Sequence, residues 1–307
     1  MRTRIIIRIC SFFIIIILSQ CEIEDVSQET QYPVVNSLFC MQDSSRVNLS
    51  RIKPTNKYLP NEYINNAHVK LTLPDQTVKE IKHIQPDGMP GKKTEGNYLI
   101  TPVLPYLPGE YKLHAQFPDG EEIVARTIIP EAVRITEIEH HLDTIEKYVN
   151  LHISFNDKKN ENNYYALSIN EYNYFTDFFS VRENIEVESG SSFVEAEIWG
   201  GVSQLVFSDQ SFTDSIQDIT AKIYFSHLYP EENMDSTVLE AKLMTVSKEY
   251  FNYATSFYQQ TIAEEDIFAE PVTVYSNITG GYGIFAGYSY HSANIINSKG
   301  EIKYRIN

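Results

Sequence analysis

Cysteine and positive charge are both scarce in this chain. Three cysteines, Cys10, Cys21 and Cys40, are spread over 307 residues, and 25 Lys and Arg stand against 41 Asp and Glu, for a formal charge of −16. Nucleic-acid binding needs clustered Lys and Arg to neutralise phosphates, so the balance argues against that partner. It argues equally against adhesion to an anionic membrane face by charge alone, while a negative surface favours solubility. Also missing are a G-x-S-x-G nucleophile elbow, a P-loop, a dinucleotide fingerprint and a helical H-E-x-x-H, so no catalytic residue and no cofactor is expected. No internal repeat is visible.

Long apolar runs are missing too, with one exception at the start. Arg2, Arg4 and Arg8 precede the ten-residue run Ile9–Leu18, the charged and apolar regions of a secretory signal. A spanning helix needs about 20 apolar residues, so this run is short for a permanent anchor. Leu18-Ser19-Gln20-Cys21 follows and resembles a lipobox, although Gln20 stands where Gly, Ala or Ser is usual. The expectation is a signal peptide over 1–20, cleavage before Cys21 and acylation of that cysteine. Several acyl chains, each worth about 0.8 kcal/mol per buried CH₂, anchor stably where one is marginal. Removing residues 1–20 takes away three arginines and no acid, leaving −19. Only Cys40 would then carry a free thiol, so no intramolecular disulfide is possible. Cys40 lies in an apolar stretch and reads as a small buried hydrophobe.

Residues 21–31 read as an acidic tether, with Glu22, Glu24 and Asp25 directly after the cysteine. These acids resemble the export signal of surface-exposed lipoproteins in Bacteroidota; a plain solvated tether is the other reading. From Tyr32 the chain becomes short alternating segments divided by turns, rich in Tyr, Phe, Val, Ile and Thr. The clearest hairpin is Glu110–Ile129, with Pro118-Asp119-Gly120 at its tip. The expected fold is mainly β, as two tandem β-sandwich-like domains. The first, immunoglobulin-like, covers 32–130, with Pro130 at the boundary; the second covers 131–307. Within the second, apolar residues at Tyr250, Phe251, Ala254, Phe257, Tyr258 and Ile262 step by three and four. That predicts one amphipathic helix near 247–262, with Ser247 as N-cap and Glu249 in its first turn.

Some residues invite functional readings. Glu139-His140-His141 with His152 hints at a metal, but neighbours on a strand point to opposite faces, so no metal ligands are assigned. Carboxylates are numerous, yet nothing marks a pair as acid and base, and a hydrolase is the least favoured class. Tyr172, Tyr174, Phe175, Phe178 and Phe179 form a dense aromatic segment. They can stack on sugar rings or grip a partner, or they can be buried strand and turn, which is the default for an apolar run. The glycines between Asn277 and Gly287 read primarily as structural, with a receptor-contacting rim as the alternative. Thr144, Ser215 and Ser236 each follow an Asp in a triplet that resembles the O-glycosylation sequence of exported Bacteroidota proteins, and modification requires exposed loops.

Longer-range order in the chain resembles a family. Tyr32-Pro33-Val34-Val35-Asn36, Asn66-Ala67-His68-Val69-Lys70-Leu71, Gly96-Asn97-Tyr98, Gly109-Glu110-Tyr111-Lys112-Leu113 and Asn163-Tyr164-Tyr165 occur in sequence, followed by Phe207-Ser208-Asp209 with Phe212. The most specific segment is Glu270-Pro271-Val272-Thr273-Val274-Tyr275-Ser276-Asn277-Ile278-Thr279-Gly280-Gly281-Tyr282-Gly283-Ile284-Phe285. In this order the segments resemble the Bacteroidota lipoprotein family of unknown function numbered four-two-four-nine, over nearly the whole mature chain. Members are typically encoded beside TonB-dependent receptors. The resemblance therefore implies a non-enzymatic outer-membrane lipoprotein, on the cell surface or the periplasmic side, that assists such a transporter by binding substrate or receptor. A stand-alone binder of carbohydrate or peptide is the alternative. It implies no catalytic residue.

Overall fold

Alternation of apolar and polar residues becomes a mainly β fold with a single α-helix in the described part of this computed structural model. The structure describes residues 31–52, 62–84, 96–158, 161–190, 196–199, 202–211, 216–229, 234–266 and 268–307. Cys21 and Ser215 lie outside them. The N-terminal strands are β1 (Tyr32–Phe39), β2 (Ser45–Ile52), β3 (Glu62–Tyr63), β4 (His68–Thr72), β5 (Val78–His83), β6 (Asn97–Ile100), β7 (Gly109–Gln116) and β8 (Glu122–Ile129). Then follow β9 (Ile135–Asp143), β10 (Tyr148–Asn156), β11 (Tyr164–Tyr174), β12 (Phe179–Arg182), β13 (Glu188–Ser189), β14 (Ala196–Trp199), β15 (Val202–Ser208), β16 (Ile216–Tyr224) and β17 (Ser236–Val246). The helix α1 (Lys248–Glu265) precedes β18 (Ile278–Thr279), β19 (Tyr282–Ser298) and β20 (Glu301–Ile306).

The first layers are sandwich-like because β5 changes sheet. Its first half pairs with β4, and Lys82 and His83 pair with β6. Strands β1, β2 and β6 thus face β4, β7 and β8 across a core that includes Val35, Phe39, Leu49, Leu71, Tyr98, Tyr111 and Leu113. The expected hairpin is present: β7 pairs with β8, and Gly120 N–H donates to the Phe117 carbonyl at its tip. Buried Tyr111 donates its hydroxyl to the Leu107 carbonyl four residues upstream at 2.8 Å, the tyrosine-corner contact of immunoglobulin-like sandwiches.

The second core lies between two sheets. β9, β10, β16 and β13 form a four-stranded sheet that packs on β11, β15, β17 and the end of β19. Phe155, Tyr165, Leu167, Phe207, Leu243 and Ile295 fill the space between them. Pro130 does separate β8 from β9, but the chain later returns across that boundary. β19, a 17-residue strand, pairs in parallel with β1 at its start and antiparallel with β17 thereafter. Its Phe285 belongs to the first core and its Ala293 and Ile295 to the second. One large sheet of sixteen strands results among the described residues.

The helix covers part of the outer face of that sheet, the face turned away from the second core. Ser247 caps it, accepting the Tyr250 N–H at 3.2 Å, a contact worth about 1 kcal/mol. Tyr250 and Ala254 are buried against Ala166, Val206, Met244, Val246, Ile284 and Ala286. Glu249 in the first turn accepts a hydrogen bond from Thr127 of β8 at 3.1 Å and ties the helix to the N-terminal layers.

Candidate functional site

Strand parity decides what lies beyond the helix. Leu167 and Ile169 of β11 and Leu239 and Ala241 of β17 point into the core, so Ser168, Asn170, Tyr172 and Tyr174, with Val238, Glu240 and Lys242, point outward. On β19 the outward set is Tyr288, Tyr290, Ser292, Asn294 and Ile296. Pairing aligns these in rows. One row holds Ser168, Lys242 and Ser292; the next holds Asn170, Glu240, Asn294 and Arg305; the next holds Val181, Tyr172, Val238, Ile296 and Lys303. Ser168 and Lys242 of the first row, with Asn170 and Tyr172 on one side of them and Met244 and Tyr290 on the other, line a cleft of about 620 Å³, closed on one side by Tyr250 and Tyr253 of α1 and on another by residues 43–46.

The walls are polar and aromatic together. Tyr172, Tyr288 and Tyr290 supply rings, and Asn170, Asn184, Gln204, Asp43 and Lys242 supply polar ends. Lys242 Nζ lies 4.8 Å from the centre of the Tyr290 ring, and the Tyr290 hydroxyl donates to Asp43 at 2.7 Å. Gln42 locks the 40–46 loop to β19 by bonding both the N–H and the carbonyl of Tyr290, at 2.9 and 3.0 Å. Glu240 sits just behind the wall. It accepts from the Tyr172 hydroxyl at 3.0 Å and from Asn170 at 3.3 Å, and lies 3.8 Å from Lys242. Burial, with the Glu240 charge beside it, pushes the Tyr172 phenol up to about 12. Burial raises Tyr250 and Tyr290 as well, Tyr290 further through its bond to Asp43. These phenols therefore stay neutral hydrogen-bond donors at physiological pH. Beside them, the buried Oδ1 of Asn294 has no hydrogen-bond partner among the described residues.

The aromatic segment continues the same face. Tyr172 lines the cleft, and Tyr174, two residues on, points the same way at the strand end. Tyr174 pairs with Phe179 and Tyr172 with Val181, so β12 adds Phe179 and Val181 to that face. The default reading of these residues as core is overturned: Phe178 is 61% and Phe179 66% exposed, and Tyr174 and Val181 are exposed too. Phe175 is half-buried and stacks on Phe178 with ring centroids 4.1 Å apart.

What holds the rings out is an inverted pattern beneath them. Glu171 and Asn173 alternate with the tyrosines and point inward, where both are buried. Glu171 accepts from Asn173 at 2.6 Å and lies 2.8 Å from His227 Nδ1 and 3.6 Å from Arg182 of β12. Thr237 donates to Asn173 at 2.8 Å. Burial opposes the Glu171 charge, but the bonds from His227 and Asn173 outweigh it and hold the carboxyl below its usual range.

The other candidates resolve simply. His141 lies on the exposed face of β9 beside His152, with ring centroids 5.1 Å apart, while His140 contacts Tyr304 and Tyr229 elsewhere. No group able to hold a metal occurs among the described residues. The glycine segment is packed: a Cβ on Gly280 would meet the Glu122 carbonyl oxygen at 2.4 Å, and one on Gly283 that of Val35 at 2.0 Å. Thr144 is exposed in the β9–β10 turn, whereas Ser236 opens β17 half-buried. Cys40 is buried. Sequence reading missed Asp43, Asn170, Lys242 and Tyr290; the polar outward positions of β17, Glu240 and Lys242 between Leu239, Ala241 and Leu243, were the available signal.

No described helix is long and apolar enough to cross a membrane. Among solved structures, a protein proposed to bind carbohydrate from Bacteroides uniformis ATCC 8492 shares 10% identity, covering 80% of this chain and 96% of that one at a TM-score of 0.22. A DUF3823 family protein from Parabacteroides merdae ATCC 43184 shares 8%, covering 72% and 92% at a TM-score of 0.21. Likenesses this distant say nothing about what this chain binds. No curated protein matches it. The family model for the domain of unknown function DUF4249 matches residues 21–294, and the chain belongs to that family.

Proposed function

We propose that this protein is a non-enzymatic lipoprotein of the outer membrane, anchored through acylated Cys21, that binds a hydroxyl-rich ligand in the cleft on the outer face of its large sheet and serves a TonB-dependent uptake system. The cleft is the observation that supports binding. Its volume of about 620 Å³ suits a small ligand. Its tyrosines supply ring surface and hydroxyl oxygens that can accept, their protons being held by Glu240, Asp43 and Gln204, and Asn184 and Lys242 add polar ends. The nearby carboxylates are engaged in holding the walls, Asp43 with Tyr290 and Glu240 with Tyr172, Asn170 and Lys242. That favours binding over hydrolysis. The family and the Arg2–Cys21 signal support the anchor and the transport setting.

Calorimetric titration of the full-length, detergent-solubilised protein against panels of neutral oligosaccharides and short peptides tests the cleft. Tyr290→Ala should weaken binding about tenfold or more without loss of the fold. Absence of binding across both panels, or unchanged binding in the variant, overturns the cleft as a site. Cross-linking in intact cells tests the setting: capture of an outer-membrane receptor supports it, and a protein recovered alone favours the stand-alone binder.

A further inference from the structure

The outer face does not end at the cleft. Moving along β11 from Ser168 to Tyr174 takes three steps of two residues, each to a new outward position, and covers roughly 20 Å. Over that distance the surface changes from polar and charged to apolar. Tyr172, Val238, Val181 and Ile296 stand side by side in one row, and Tyr174 and Phe179 in the next. Tyr174, Phe179 and Val181 are exposed and Tyr172, Val238 and Ile296 half-buried, and apolar side chains grouped this way on a solvent-facing sheet mark a contact surface. Their placement goes against the strand's own economy, because the polar partners Glu171 and Asn173 occupy the inward positions.

Tyr32, where the described chain begins β1, packs edge-on against Tyr282 at the start of β19, with centroids 5.4 Å apart. The strip borders the other end of β19, where Ile296 pairs with Val238 and Asn297 with Thr237. A strand of 17 residues spans roughly 50 Å if straight. Tyr32 and the aromatic strip therefore lie toward opposite ends of β19.

We propose that the ligand is an oligomer, a neutral glycan chain with one end in the cleft and further units laid across Tyr172 onto the Tyr174–Phe179 platform. This rests on the reading of the cleft as a ligand site. A single sugar cannot span from Ser168 to Tyr174, roughly 20 Å of strand. Sugar rings offer apolar C–H faces to aromatic rings and keep their hydroxyls in water, which suits a strip without charge until Lys303 at its edge. A peptide lying over β11 and β17 could not add to them as a strand, since their backbone groups are paired with each other.

The test is binding of full-length protein, in detergent, to ladders of neutral α-1,4- and β-1,4-linked glucose oligomers and xylose oligomers from two to six units. The expected result is a rise in affinity of about tenfold or more from dimer to hexamer in the ladder that binds. Tyr174→Ala with Phe179→Ala should bring the hexamer down to the dimer's affinity and leave the dimer unchanged. Phe179→Ala alone repeats the comparison at an exposed ring, with less risk to the fold. Equal affinity for dimer and hexamer, or an unaltered hexamer in both variants, overturns the extended site while the cleft stands. Loss of a cross-linked protein partner with hexamer binding intact reassigns the strip to protein contact and overturns it too. If no ladder binds but a peptide does, the cleft remains a ligand site and the glycan assignment falls; if nothing binds, the cleft itself falls.

Discussion

The two ends of β19 show opposite uses of a sheet. At its start, Gly281 and Gly283 bring the backbone against Pro33 and Val35 so closely that a methyl group has no room. At its finish, the neighbouring strands carry large rings into solvent. The near end joins the two cores and fastens β1, β8 and β18 together. The far end borders a surface where Tyr174, Phe178, Phe179 and Val181 are exposed. Stability is concentrated where the layers meet, and the candidate contact surface is placed where change does little damage to folding.

Gly283 is the sharpest way to break the near end. Its φ is +102°, and an added Cβ would lie 2.0 Å from the Val35 carbonyl oxygen, inside the β1–β19 pairing. Gly283→Ala should cost about 3 kcal/mol or more, combining backbone strain with a clash against main chain that cannot swing aside. For a chain of this size that is a fall in melting temperature of roughly 10 °C, readable by circular dichroism. A change under about 0.5 kcal/mol would show that β1 and β19 are not held as described.

Glu171 tests the base of the far end. A carboxylate whose folded pKa lies below its unfolded value stabilises the fold above the unfolded value. For Glu171 that contribution is present above the usual 4.5 and is lost as the pH falls through the lowered value. Glu171→Gln should cost about 2 kcal/mol at pH 7, as expected for charge-assisted bonds. It should also flatten part of the acid limb of the stability profile below pH about 4.5. A variant whose stability falls in parallel with wild type through that window would remove Glu171 as the contributor.

Asn277 gives a smaller effect at the near end. Its amide donates to the Arg126 and Phe285 carbonyls at 2.9 and 2.7 Å, and its oxygen accepts the Phe285 N–H at 3.0 Å. Asn277→Ala should cost about 1–2 kcal/mol. Faster amide exchange confined to β18 and the start of β19 would locate the damage, and unchanged exchange there would refute it.

Much of the fold was legible because local rules agreed. Pro118-Asp119-Gly120 between two alternating runs gave the hairpin, and Ser247 before a three-and-four pattern gave the helix. What was hidden follows from two departures. Alternation alone does not carry β11 through Tyr174, because Glu171 and Asn173 fall at core positions and period-two reading assumes that polar side chains point outward. Here they point inward, satisfied by His227, Arg182 and Thr237, and the aromatics take the solvent side. The length of β19 was masked by its glycines: Gly280 and Gly281 do make the turn before it, but Gly283 and Gly287 serve close backbone approach inside the strand. The cleft needed the pairing of β11, β17 and β19, which no local pattern contains.

The smallest stability effect belongs to the tip. Phe178 and Phe179 are 61% and 66% exposed, so little apolar area is lost when they are truncated. Phe178 stacks on half-buried Phe175, and Phe179 lies 6.5 Å from Tyr174, contacts worth a fraction of a kcal/mol when wet on the other side. Phe178→Ala with Phe179→Ala should therefore shift stability by no more than about 0.5 kcal/mol, the range of ordinary surface substitutions. A matching melting curve, together with altered ligand or partner binding, separates contact from packing at this end of the sheet. A loss of several kcal/mol would mean that these rings support the β11–β12 hairpin from within, and the contrast between a packed near end and a free far end would not hold.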